Sequence, residues 1–112
     1  KDVMLEDLDE LKQIDFLELI RESAAEAAGS SPVKVWDVRT QKSTIYRHVA
    51  IYVLHQFGFE AKRIGAFLQF QRQTVVEIVR DFQRGLDSED AAEVERHQAA
   101  LHGITAAINR LR

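Results

Sequence analysis

Apolar side chains recur at steps of three and four along almost the whole 112-residue chain, and a single proline interrupts them. That period belongs to one face of an α-helix; a half-buried strand would alternate instead. The expected class is therefore all-α, and the plentiful Ala, Leu, Glu, Gln and Arg favour it further. A hydrophobic share of 46% fits a folded globular chain rather than a disordered one. The length is one domain's worth, with no Gly/Pro/Ser-rich linker, so residues 1–112 read as a single unit. Cysteine is absent, which removes disulfides and thiolate metal sites and fits a reducing cytoplasm. No apolar run approaches the ~20 residues a membrane helix needs, and no signal peptide is visible. Lys rather than Met at position 1 fits a piece trimmed from a longer chain, with neighbouring domains outside it.

The periodicity and its breaks predict six helices. The first spans about Val3 to Ala28, with Met4, Leu8, Leu11, Ile14, Leu17, Ile20, Ala24 and Ala27 on one face. Asp15 three residues before Glu18 leaves open two helices meeting near Ile14. Gly29 followed by Ser30, Ser31 and Pro32 ends it. Ser31 as N-cap and Pro32 at the first position start a short helix through Val38, with Trp36 as its apolar anchor. After a basic "RTQKST" stretch, the third helix runs Thr44–Phe57 and Gly58 caps it. The fourth, about Glu60–Leu68, holds Gly65, whose cost of ~1 kcal/mol relative to Ala suggests a close backbone approach. The fifth, Arg72–Arg84, buries Val75 or Val76, Val79 and Phe82, and Gly85 ends it. Asp87 or Ser88 caps a last helix to Arg112, with Val94, Leu101, Ile104, Ile108 and Leu111 inward.

The formal net charge is −3, but its distribution is uneven. Residues 1–33 carry three basic and nine acidic side chains, and residues 85–112 carry three and five. Residues 34–84 hold nine Lys/Arg against four acids, a local balance of +5. Catalytic or metal chemistry finds no such concentration. His48, His55, His97 and His102 lack ligand spacing and are expected at the surface or half-buried, there is no phosphate-cradling glycine loop, and no triad or paired-carboxylate pattern stands out. The expectation is a non-enzyme without cofactor or metal.

In the basic third, two helices are joined by a break at Gln69–Gln71 that lacks glycine and proline. A helix-turn-helix needs a first helix braced on the sugar-phosphate backbone and a second whose polar N-terminal end meets base edges. Here that end is Gln71-Arg72-Gln73-Thr74, backed at once by Val75, Val76 and Val79. Arg and Gln make bidentate bonds with guanine and adenine, and Thr can touch a thymine methyl. Lys62 and Arg63, one helix earlier, can reach phosphates. An ordinary bundle with a polar face remains the competing reading of the same pattern.

The segment "RHVAIYVLHQFGFEAKRIGAFLQFQRQTVVEIVRDF", Arg47 to Phe82, resembles the C-terminal DNA-binding domain of the bacterial replication initiator DnaA. The residues that carry the likeness are Arg47-His48-Val49-Ala50-Ile51-Tyr52-Val53, Ile64-Gly65, and Gln71-Arg72-Gln73-Thr74-Val75-Val76, with the family's short helix and basic loop falling on Val33 to Thr44. It covers about residues 15–84 and looks like a short stand-alone relative with no ATPase module attached. The resemblance implies an all-α bundle of about six helices containing a helix-turn-helix, of the Trp-repressor or DnaA C-terminal-domain kind. It implies that Arg39 enters the minor groove, that Arg72, Gln73 and Thr74 read bases, and that Lys42, Arg47, Lys62 and Arg63 contact the backbone. The family's Asp-His pair is replaced here by Arg72-Gln73, the turn glycine by Gln69-Phe70, and the basic loop includes Asp37 and Val38. Either the chain reads a different sequence from the initiator's box, or it keeps the scaffold without the reading.

The expected partner is double-stranded DNA, in bacterial transcription or replication control at the nucleoid. The alternative is a protein-interaction or dimerisation module working through the acidic flanks. Leu8, Leu11, Ile14 and Leu17 in the first helix, or Leu101, Ile104, Ile108 and Leu111 in the last, have the spacing of a homodimer seam or of plain core packing.

Overall fold

The computed structural model describes residues 5–112; Val3 and Met4, counted above in the first helix, lie outside the described residues. Five α-helices form: α1 (Glu10–Ala28), α2 (Thr44–Phe57), α3 (Ala61–Leu68), α4 (Arg72–Leu86) and α5 (Ala91–Leu111). A π-helix at Val33–Val38 is the sixth helix, and single 3-10 turns occupy Leu5–Asp7 and Gln41–Ser43. No strand occurs among the described residues, and no helix is long and apolar enough to cross a membrane.

Each helix end has a local cause. Asp9 caps α1, its carboxylate accepting the Lys12 N–H at 2.9 Å, so the chain breaks at Leu8–Asp9 and runs unbroken through Ile14. Gly29 ends α1 in the left-handed region at φ 66°, where the Gly29 N–H reaches Glu26 O and the Ser30 N–H reaches Ala25 O. The Ser31 hydroxyl accepts the Lys34 N–H as expected, but the turn it starts is π-helical and stops at Arg39, which is left-handed at φ 61°. Two expectations near the C-terminus are corrected. Gly85 does not end α4, because it lies inside the helix facing His97: a Cβ there would meet His97 Nε2 at 2.2 Å. Asp90, rather than Asp87 or Ser88, caps α5 by accepting the Ala92 N–H at 3.0 Å.

Helix α2 is central and packs on α1, α3, α4 and α5, while α1 lies along α5. Ile20, Val49, Ile51, Leu54, Phe59, Ile64, Val75 and Ile104 are fully buried between them. Full burial of such a side chain is worth about 1.5–3 kcal/mol, so this shared core holds the helices in place. The Phe16 and Phe57 rings stack 4.1 Å apart, and the Tyr52 hydroxyl donates to Gln83 Oε1, tying α2 to α4. Trp36 is buried as expected and its Nε1–H donates to Arg21 O at 2.9 Å. His97 departs from expectation: it is 6% exposed, bonded through Nδ1 to Glu93 O and packed edge-on to Phe82. The predicted apolar stripe of α1 is only partly inward. Leu17 and Ile20 are buried, but Leu11 is 74% and Ile14 42% exposed. On α5, Ile104 is buried in the chain's own core and Leu111 is exposed.

Candidate nucleic-acid interface

The α3–α4 connection is a turn of three residues, Gln69 to Gln71. Gln69 is left-handed at φ 64°, a conformation that costs a non-glycine residue roughly 1–2 kcal/mol and needs support. Two features supply it. The Phe70 N–H returns to Gly65 O at 2.9 Å, and only a glycine at 65 leaves room for the Phe70 carbonyl, which would lie 2.4 Å from a Cβ there. The close approach expected at Gly65 is therefore the turn itself. Arg39 then reaches across from the loop: Nη2 donates to Leu68 O at 3.1 Å and Gln69 O at 2.7 Å, Nε donates to Trp36 O at 2.9 Å, and the guanidinium lies 4.1 Å over the Phe70 ring. A cation on the last carbonyls of α3 also complements its helix dipole.

Two of the expected DNA contacts are thus corrected. Arg39 is half-buried, with its Nε and Nη2 donors committed to the carbonyls of the turn and of Trp36. Arg47 is 8% exposed, and its guanidinium donates to Val35 O and Thr40 O at 3.1 Å each, to Ser43 Oγ at 2.5 Å and to Thr44 Oγ1 at 3.0 Å. Burial, and then the nearby Arg39 charge, lower its pKa. Arg47 organises the Val35–Thr44 loop and is closed off from any phosphate. Both errors have one origin, since a sequence displays a charge but not the carbonyls that will surround it.

The other expected residues lie outside the core. Arg72 and Gln73 are exposed on the first turn of α4, and Thr74 is half-buried. Gln73 Nε2 approaches Glu77 Oε2 at 3.4 Å, while among the described residues no carboxylate or carbonyl holds the Arg72 guanidinium. Gln71 caps α4 without a side-chain bond, and among the described residues no side chain bonds the first-turn N–H groups. Lys42 and Lys62 are exposed. Arg63 is half-buried, hydrogen-bonded to Gln13 Oε1 and 3.9 Å from Glu10 Oε1.

The outward face of α4, opposite Val75, Ile78 and Phe82, also carries Arg80 and Arg84 one and two turns beyond Gln73–Glu77, both beside Asp81. Helical phase from Gln73 would have found them. Lys34, overlooked above, lines a shallow hollow with Ser30, Thr40 and Lys42 where α1 ends. No family model, curated protein or solved structure matches the chain. Its surface must speak for itself: among the described residues no three His, Asp or Glu gather as a metal site. What the arrangement offers chemically is a rigid turn that projects hydrogen-bond donors.

Proposed function

We propose that the chain binds double-stranded DNA through α3 and α4 acting as a helix-turn-helix, in transcription or replication control. The observation that carries the reading is the exposure of Arg72 and Gln73 on the uncapped first turn of α4, beyond a turn fixed by Gly65 and Arg39. Rigidity matters because base readout needs side chains held in register, and flexible donors would lose affinity to ordering entropy. Arg72 addresses guanine and Gln73 adenine, with Thr74 against a thymine methyl. Exposed Lys62 and Lys42 contact phosphates from the flanks. The resemblance of residues 47–82 to the DnaA C-terminal domain points the same way.

The test is a binding selection from random duplexes followed by a salt titration. Arg72→Ala with Gln73→Ala should lower affinity for the selected site by about 30-fold or more at unchanged thermal stability, each of the two bidentate pairs being worth ~1–3 kcal/mol. Absence of binding at low salt, or affinity that does not fall as salt rises, removes the reading.

One observation favours a second reading, a protein-interaction or dimerisation module: Leu11 and Ile14 stand exposed among the acids of α1. Sedimentation over a range of concentrations decides whether that stripe joins two copies, and a monomer throughout removes the seam.

A further inference from the structure

Adjacent cations on α3 have opposite surroundings. Lys62 is exposed, whereas Arg63 is held by the N-terminal segment. Its guanidinium donates to Gln13 Oε1, lies 3.9 Å from Glu10 Oε1 and rests 5.1 Å over the Phe59 ring. Gln13 is itself fixed, because its amide donates to Leu8 O at 3.0 Å and Leu5 O at 3.3 Å, the carbonyls of the turn that leads into α1. Leu5 in turn packs against Gly58 at the end of α2, where a Cβ would lie 3.1 Å from its own. The segment from Leu5 to Gln13 is therefore pinned across the α2–α3 corner, with Glu6, Asp9 and Glu10 exposed along it.

We infer that this acidic segment is a brake on nucleic-acid binding: Gln13 and Glu10 occupy Arg63, and DNA phosphate must compete with them for it. The inference rests on the DNA-binding reading above and names its regulation. The contact is weak enough to yield. Side-chain exposures of 35% for Arg63 and 80% for Glu10 leave the pair screened and exchangeable, so the brake is graded and does not lock the site. It also explains how a strongly acidic first third coexists with a basic centre on one small chain. Of these acids Glu10 lies beside Arg63, while Lys62 and Arg72 stay exposed.

The experiment measures binding of a fluorescent mixed-sequence duplex as a function of salt, which isolates the phosphate contribution. Glu10→Gln with Gln13→Ala should bind about threefold to tenfold more tightly at low salt, with a log-affinity against log-salt slope steeper by about one. Glu10→Gln alone, at an exposed position that cannot unfold the segment, should give a smaller gain of the same sign. Arg63→Ala should lower the parent chain's slope by less than it lowers the double variant's, and it should abolish the gain in the double variant. Glu18→Gln, which removes one carboxylate elsewhere on α1, should leave the slope unaltered. The brake is overturned if the double variant binds like the parent, if Glu18→Gln gives an equal gain, or if Arg63→Ala reduces the parent's slope as much as the double variant's; each of these leaves DNA binding itself standing. If no variant and no parent chain binds the duplex at low salt, DNA binding fails and the brake falls with it.

Discussion

Replacing Gly65 by alanine sets two known effects against each other at one position. Within a helix the exchange gains up to ~1 kcal/mol, because alanine restricts the unfolded chain and favours helical dihedrals. At residue 65, however, the new methyl would lie 2.4 Å from the Phe70 carbonyl oxygen, and 3.4 Å and 3.6 Å from the next backbone carbons. Ordinary contact begins near 3.4 Å, so the turn must retreat by about 1 Å. It cannot retreat freely, since the Phe70 N–H is bonded to Gly65 O and the Leu68 and Gln69 carbonyls are held by Arg39. Overpacking of this kind costs ~1–3 kcal/mol, and weakening the attached hydrogen bonds adds ~0.5–1.5 kcal/mol. The net expectation is destabilisation by about 1–3 kcal/mol, or a melting point lower by about 4–12 °C for a chain of this size. Gly103 is the internal control, because a Cβ there meets only Ala27 and Tyr46 at 3.9 Å and 4.0 Å. Gly103→Ala should therefore stabilise by about 0.5–1 kcal/mol. Urea and thermal unfolding followed by circular dichroism measure both. Effects of the same sign at the two glycines would refute the claim that the turn backbone fills the space beside residue 65.

Three further outcomes follow from buried and half-buried polar groups. Arg47→Met should cost about 1–3 kcal/mol by urea denaturation, since the Val35 carbonyl and the Thr44 hydroxyl lose this donor, while the Thr40 carbonyl keeps the Ser43 N–H and hydroxyl; a loss under 1 kcal/mol would show that the loop does not depend on it. Ser23→Ala should be neutral or stabilising by about 1 kcal/mol, because the Ser23 Oγ is fully buried without a hydrogen-bond partner among the described residues. Burial, and then the Arg47 charge, lower the pKa of His48. The unfolded chain then takes up the proton first, so stability is fully present above about pH 6.5 and declines below it toward the folded value. His48→Gln should flatten that acid limb in melts recorded from pH 7.5 down to 5, and an unchanged limb would place its origin elsewhere.

The sequence disclosed the helices better than it disclosed their partners. The bounds of α2 agree with expectation at both ends, since its apolar face is wide and Gly58 stops it. Gly65 was legible as a close approach because glycine is costly in a helix. Gly85 misled for the same reason, since the rule that glycine ends a helix cannot see His97 packing on it from α5. Arg39 and Arg47 read as outward charges because their acceptors are backbone carbonyls, which every residue carries and no sequence pattern marks. The split of the α1 stripe, with Leu17 inward and Leu11 outward, depends on where α2 and α5 cross it, and periodicity holds no such information.

The engaged arginines have a quantitative consequence for the proposed DNA binding. Of the nine cations between residues 34 and 84, Arg39 and Arg47 face carbonyls, and Arg63, Arg80 and Arg84 stand beside carboxylates, which leaves four with no such partner among the described residues. Four counterions released imply a fall of only about 100-fold between 50 and 200 mM salt, where nine would imply about 10⁵-fold. Under the DNA-binding proposal, affinity would therefore depend only modestly on ionic strength. On that proposal, tighter binding would have to come from several copies side by side or from a tethered neighbour, whose linkage raises the effective concentration.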